Sequence, residues 1–242
     1  MCRQSLREAD MRGEGIVKEY LIRYFYERIR NNGILTKIRD YRPIYEIEQQ
    51  LQGIDTILYC NDGRELIIDE KCALSYINKE LPTFAFEIQW SRYGEPIDGW
   101  FINDDQLKTQ YYFTMWLEGS PIINELTGQQ LEGYRYIERM TIDDLKHIEL
   151  YVINKKTLRN HLSDRLGLTV TVMKDRAAQL IDGGIAKSMV NRNISFVYSE
   201  RLTEKPVNLV INKSVLRQIA DATFEITSNQ VKRNGIIIYE AP

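Results

Sequence analysis

Apolar positions in residues 16–29 (IVKEYLIRYFYERI) recur every three to four residues. Ile16, Val17, Tyr20, Leu21, Tyr24, Phe25 and Ile29 form one stripe, and Gly33 follows as a stop. That spacing predicts an amphipathic helix lying on a core. The period then changes to two. Residues 83–90 (TFAFEIQW) alternate, with Phe84, Phe86, Ile88 and Trp90 on one side and Thr83, Ala85, Glu87 and Gln89 on the other, the pattern of a half-buried strand. Two apolar runs, 56–60 and 65–71, flank Asn61-Asp62-Gly63-Arg64 and predict a hairpin. Residues 110–117 (QYYFTMWL) favour a further strand. Residues 91–105 and 118–133 are expected to be irregular.

The last hundred residues predict alternating elements: strands at 148–153, 194–199 and 207–211, and helices at 155–166, 174–182 and 214–220. Val152-Ile153-Asn154-Lys155 is echoed by Val210-Ile211-Asn212-Lys213, each a strand running through an Asn cap into a helix. Shared strand-to-helix chemistry explains the echo more simply than duplication. The pattern as a whole predicts a mixed α/β (α+β) fold: a central mixed sheet flanked by helices, with an elaborated C-terminal αβ part. No Pro/Gly/Ser linker splits the chain. Residues 1–140 are therefore expected to form the core, with 141–242 packed into the same domain.

Composition changes this picture little. With 242 residues, 43% hydrophobic and 27% charged, the chain is of ordinary globular type. No apolar run approaches the roughly 20 residues of a membrane span, and the polar segment 1–15 argues against a signal peptide or anchor. Cys2, Cys60 and Cys72 lack CxxC spacing and predict free thiols in a reducing, cytoplasmic setting. His147 and His161 are too few for a zinc site. P-loop, dinucleotide-binding and serine-hydrolase motifs are absent.

The chemistry concentrates in Gly53-Ile54-Asp55, Leu66-Ile67-Ile68-Asp69-Glu70-Lys71 and Phe86-Glu87-Ile88-Gln89. Acids and a lysine at the end of an apolar strand are costly unless partnered or employed. Asp69 and Lys71, two residues apart, project from one face. Carboxylate oxygens suit Mg²⁺ or Mn²⁺, such a cation activates water and polarises a phosphoryl group, and an adjacent ammonium offsets developing charge. The set therefore suits phosphodiester hydrolysis.

These residues resemble the PD-(D/E)XK nuclease superfamily, whose pattern is an acid on a first helix, an Asp opening a hairpin, and (D/E)-x-K on the next strand. Glu19, Asp55 and Asp69-Glu70-Lys71 match in order over roughly residues 15–117, although Ile54 stands where the pattern has Pro. The resemblance implies a restriction-endonuclease-like fold and a Mg²⁺- or Mn²⁺-dependent nuclease, with DNA endonuclease activity the leading reading. It implies that Asp55 and Asp69 bind metal with the carbonyl of Glu70. It further implies that Lys71 acts on the water or phosphate and that Glu19 supports the metal. Glu87 and Gln89 fit the acidic or amide residues that many members carry on the following strand.

The spacing makes a geometric demand. A two-residue Asp62-Gly63 turn pairs Asp55 with Glu70 and puts the two aspartates on opposite faces. A metal site requires a three- or five-residue loop, or a bulge. The three-residue register considered pairs Asp55 with Lys71 and Ile57 with Asp69.

Net charge is −2, which alone argues against a nucleic-acid partner. Its distribution is uneven: residues 51–150 carry 8 basic and 18 acidic side chains, and residues 151–242 carry 14 and 8. The acids lie around the expected metal site. The basic excess makes Lys155, Lys156 and Arg159 candidates for a phosphate backbone, and the C-terminal part a candidate specificity region or homodimer surface. The alternatives are a non-catalytic nucleic-acid-binding or assembly protein on the same fold, and an unrelated α/β protein with an incidental Asp-Glu-Lys.

Overall fold

The computed structural model describes residues 3–32 and 37–241. The expected stop at Gly33, and Cys2, lie outside the described residues. The first helix is longer than its apolar stripe. Helix α1 (Arg3–Leu21) continues through a π-helical turn (Ile22–Tyr26) into α2 (Glu27–Asn31). Val17, Tyr20, Leu21, Phe25 and Ile29 are buried as expected. The wider π turn presents consecutive residues Phe25 and Tyr26 to the core together. Phe25 meets Phe113 and Phe224 edge-on; burying such a side chain stabilises by roughly 1.5–3 kcal/mol.

Strands β1 (Ile38–Pro43), β2 (Thr56–Cys60), β3 (Glu65–Cys72), β6 (Tyr111–Gly119), β7 (Leu145–Asn154), β11 (Ala222–Thr227), β12 (Gln230–Arg233) and β13 (Ile236–Glu240) form an eight-stranded sheet in that spatial order. Among the described strands, β3 and β6 form its parallel pair; its other neighbours are antiparallel. A second, antiparallel sheet has the order β5 (Glu95–Asp98), β4 (Thr83–Arg92), β10 (Val207–Asn212), β9 (Ile194–Tyr198), β8 (Lys187–Asn191). Shorter helices are α3 (Ile47–Gln50), α4 (Tyr134–Arg139), α5 (Lys155–Leu166), α6 (Val170–Asp182) and α7 (Lys213–Ile219).

The protein is thus mixed α/β, with a large curled mixed sheet flanked by helices. Helix α1 and the π turn cover one face of that sheet through a core of Tyr20, Leu21, Phe25, Ile68, Phe113 and Leu150. The other face packs with the second sheet and α5–α7 around Phe86, Tyr112, Ile153, Leu158, Met173, Leu209 and Leu216. Both sheets take strands from either side of residue 140. β7 and β11–β13 complete the first sheet, and β4 and β5 complete the second. The two expected segments are therefore interleaved in one body.

Both Asn caps form as expected. The Asn154 side chain accepts from the Thr157 N–H at 3.0 Å, and Asn212 from the Ser214 N–H at 2.9 Å. Gly13 in α1 has a packing reason, because a Cβ there would lie 2.8 Å from Ile137 Cγ2 and 3.1 Å from Leu74 Cδ2. Among the described residues no helix is long and apolar enough to cross a membrane.

Candidate active site

The hairpin β2–β3 sets the site. Thr56 pairs with Ile68, Ile57 with Ile67, Leu58 with Leu66 and Tyr59 with Glu65. The loop is Asn61-Asp62-Gly63, closed by the Cys60 N–H to the Arg64 carbonyl at 2.8 Å. It has three residues, as the metal-site geometry requires, but it sits one residue earlier than the register considered from sequence. Continuing the pairing, Asp55 falls opposite Asp69 rather than Lys71, and Ile57 opposite Ile67 rather than Asp69. Gly63 takes the left-handed conformation (φ +84°) that closes this loop. The two aspartates share a face.

Asp69 is 1% exposed. The Lys71 ammonium lies 2.6 Å from Asp69 Oδ1, which has no other partner. Lys71 also stands over Trp100, 5.2 Å from the ring centroid. Asp55 Oδ2 accepts the Glu70 N–H at 2.7 Å. A strand residue directs its N–H and C=O to the same edge, so the Glu70 carbonyl opens on the side where Asp55 sits. The Glu70 side chain turns to the opposite face. Its Oε1 accepts from the Tyr26 hydroxyl, and from Thr56 Oγ1 at 2.7 Å. Thr109 Oγ1 donates to the Gly53 carbonyl at 3.1 Å and lies 3.5 Å from Asp69 Oδ2. Gly53 permits this approach: a Cβ there would sit 2.2 Å from Thr109 Oγ1, and its φ is +69°.

The electrostatics follow from burial. Asp55 is pushed up to about 8 by burial and by Asp69 and Glu70, against the opposing pull of Lys71 and the Glu70 N–H. Burial pulls Lys71 downward, but Asp69, Asp55 and Glu14 outweigh it and hold the ammonium above its ordinary value. Glu70 is raised by burial despite its bonds from Tyr26 and Thr56. One lysine thus serves two opposed carboxylates, Asp69 buried and Asp55 half-buried, an arrangement short of positive charge.

A groove of about 610 Å³ opens between α1, α3 and this hairpin. Asp55, Glu70 and Lys71 lie on its floor, with Glu14, Lys18 and Glu19 on its helical side. Of the expected residues, Asp55, Asp69 and Lys71 come together. Glu19 lies on the exposed rim of the groove and makes no hydrogen bond to them. Glu87 lies close enough for Lys71 to act on it; burial raises its carboxyl, opposed by the Trp100 N–H. Gln89, opposite Asp98 of β5, makes no hydrogen bond to Asp55, Asp69 or Lys71.

Two of the three basic residues are paired within the protein. Lys155 is buried and its ammonium lies 2.8 Å from Asp104 Oδ1. Arg159 bonds Asp104 and the Phe101 carbonyl. Burial raises Asp104, but these two cations outweigh it and hold the carboxyl below its ordinary value. Both side chains are thereby engaged inside the protein, tying α5 to the segment after β5, and Lys156 alone of the three is exposed.

Sequence reasoning missed Glu14, an exposed residue on the groove wall whose carboxyl is raised by partial loss of water there and by Asp10 and Asp69, while Lys71 lowers it. It sits four residues before Lys18 on the same helical face, but the flanking Gly13 and Gly15 hide that signal by lowering helix propensity. Thr109 and Lys18 were also missed as parts of this site. Lys18 donates to the carbonyls of Ile44 and Asp55.

No family model, curated protein or solved structure matches this chain.

Proposed function

We propose that the protein is a metal-dependent nuclease that hydrolyses phosphodiester bonds, with DNA the first substrate class to test. One observation carries this reading. Asp55 and Asp69 are directly opposed on one face of a hairpin, with the Lys71 ammonium 2.6 Å from the buried Asp69, and Asp55 and Lys71 open onto a groove. The surrounding topology supports the resemblance to the restriction-endonuclease-like fold. β1–β3 form an antiparallel meander, β6 lies parallel beside the Asp69 strand, and α1 covers one face.

The donor set fits a hard divalent cation. Among the described residues no three His, Cys, Asp or Glu side chains converge as a metal cluster. The fit instead rests on two carboxylates and the Glu70 carbonyl, with Asp69 Oδ1 lacking any partner but Lys71. Mg²⁺ keeps several waters and commonly takes only one or two carboxylates from protein. When bound, it would supply polarisation of a phosphoryl oxygen and a lowered pKa for water.

The protein's own groups do the rest. Asp55 and Asp69 provide the negative donors, and the Glu70 N–H orients Asp55. Thr109, backed by Gly53, stands beside Asp69. Lys71 donates to a phosphoryl oxygen or to the attacking water. Glu87 and Glu14 are placed to tune the charge of Lys71. The unpaired thiols Cys60 and Cys72 support a cytoplasmic setting, and a homodimer is compatible with the exposed edge strand β13.

Incubation of labelled DNA with the protein and Mg²⁺ or Mn²⁺ is expected to produce strand cleavage. EDTA and Asp69→Asn should each abolish it. The inert alternative predicts no metal-dependent cleavage of any DNA or RNA under these conditions.

A further inference from the structure

Four large apolar side chains that the fold leaves in solvent line the groove leading to Asp55 and Lys71. Tyr45 is 68% exposed, Leu51 72%, Ile47 62% and Met11 58%. Single exposed apolar residues are ordinary, but a contiguous set rimmed by polar groups marks a binding surface. Among the described residues, nothing in the fold's own packing explains the grouping. The buried cluster beneath is completed by Ile44, Ile54 and Ile57 without them.

We propose that this wall binds unpaired nucleobases, with Tyr45 as the stacking platform, so that the substrate is a single-stranded stretch of nucleic acid. The inference rests on the hydrolytic reading of Asp55, Asp69 and Lys71 and names the substrate class of that same site.

Three features of the wall lead to it. First, Lys18 covers the ring of Tyr45, its ammonium 4.7 Å from the centroid, and the tyrosine's high exposure leaves ring surface for a partner. A base on that surface completes a stack supported by a cation. Second, the same ammonium donates to the carbonyls of Ile44 and Asp55. These contacts hold its charge between the stacking ring and Asp55, the acid opposite Asp69, where it attracts a phosphate oxygen. The wall therefore offers an aromatic face and a cation in the order in which a nucleotide presents base and phosphate. Third, about 610 Å³ is the size of a small-ligand cleft. It suits a nucleotide unit, and a base offers its face to a side chain only when it has left the duplex stack. A duplex exposes base edges in its grooves, which an apolar wall of Tyr, Leu, Ile and Met cannot read by hydrogen bonding.

The test is fluorescence anisotropy of a labelled 12-nucleotide single strand and of the same sequence as a duplex. The full-length Asp69→Asn protein in Ca²⁺ is used to prevent turnover. Tighter binding of the single strand is expected. Tyr45→Ala should weaken it about 5- to 150-fold, the range of one stacked base, and Tyr45→Phe should restore it. Because Tyr45 lies on the surface, these variants retain the fold. Equal or tighter duplex binding, or no effect of Tyr45→Ala, overturns the inference. So does a change of sedimentation state in Tyr45→Ala without loss of affinity, which assigns the wall to a second copy of the chain. Wild-type cleavage of duplex DNA unaffected by Tyr45→Ala overturns this inference and leaves the nuclease reading standing. Absence of metal-dependent cleavage of single-stranded and duplex DNA and RNA removes both.

Discussion

Lys71→Met is expected to lower metal-dependent phosphodiester cleavage by about 10²–10⁴-fold, the usual worth of a positioned catalytic proton donor or charge stabiliser. The substitution keeps an unbranched side chain and removes the charge that lies 2.6 Å from Asp69 and 5.2 Å from the Trp100 ring centroid. The loss should fall on kcat, with KM changing little, because charge on the phosphoryl oxygens and the nucleophile develops on the way to the transition state. Lys71→Arg should not restore activity fully. A planar fork delivers its hydrogen bonds in a different geometry from a point charge, and the space between Asp69 and Trp100 is already occupied. Single-turnover rates at saturating Mg²⁺, with near-UV circular dichroism as the folding control, measure the effect. Activity within about threefold of wild type would remove Lys71 from the reaction, since a positioned donor or charge stabiliser contributes at least about a hundredfold.

The same pair should dominate stability in the presence of EDTA. Removing one partner of a buried ion pair strands the other, at a cost of about 3–5 kcal/mol. Lys71 retains 30% side-chain exposure, so Lys71→Met is expected near the lower end, about 3 kcal/mol. Asp69 would then be a buried carboxylate with neither water nor counter-charge, opposite Asp55. Asp69→Asn should cost much less. The lysine can turn to solvent, and repulsion between the two acids disappears. The double variant Asp69→Asn/Lys71→Met should therefore recover most of the loss caused by Lys71→Met. Urea unfolding of all four proteins supplies the cycle. Additivity within about 0.5 kcal/mol would show that the two side chains do not interact.

The parts of the fold legible in the sequence were those with a strong local period. β4, α5 and β6 lie where alternation, an Asn cap and an aromatic run placed them, and the hairpin gave itself away through Asp62-Gly63. β1 was not legible because it is an edge strand whose IRDYRP sequence buries only Ile38 well. β13 was missed for a related reason. Ile236-Ile237-Ile238 has no alternation to detect, since its first two side chains lie in solvent. The N-terminal half of α1 was hidden by the low helix propensity of Gly13 and Gly15; Gly13 is explained by its close packing on Ile137 and Leu74. The π turn left no local mark, because its benefit lies in burying Phe25 and Tyr26 together against distant strands.

A similar division holds for the candidate site. Asp55, Asp69 and Lys71 were legible because one hairpin carries all three and strand geometry fixes their faces. The pairing was off by one step because the loop takes Asn61 and closes on Cys60 and Arg64. Trp100, Thr109 and Glu14 reach the site from other parts of the chain, and only the fold brings them in. Lys155 and Arg159 show the converse. Basic residues at a helix start suggest a surface for phosphate, yet their partner Asp104 comes from a loop about fifty residues earlier, and no local pattern announces it.

A divalent cation between Asp55 and Asp69 is central to the proposed chemistry, and diffraction at the manganese edge from crystals grown in Mn²⁺ tests for it most directly. The prediction is an anomalous peak bridging the two carboxylates, about 2.0–2.2 Å from their oxygens, with the Glu70 carbonyl beside it and the peak lost in Asp55→Asn. Mn²⁺ at saturating concentration with no density between these residues, and an unchanged Asp69–Lys71 pair, would contradict the account.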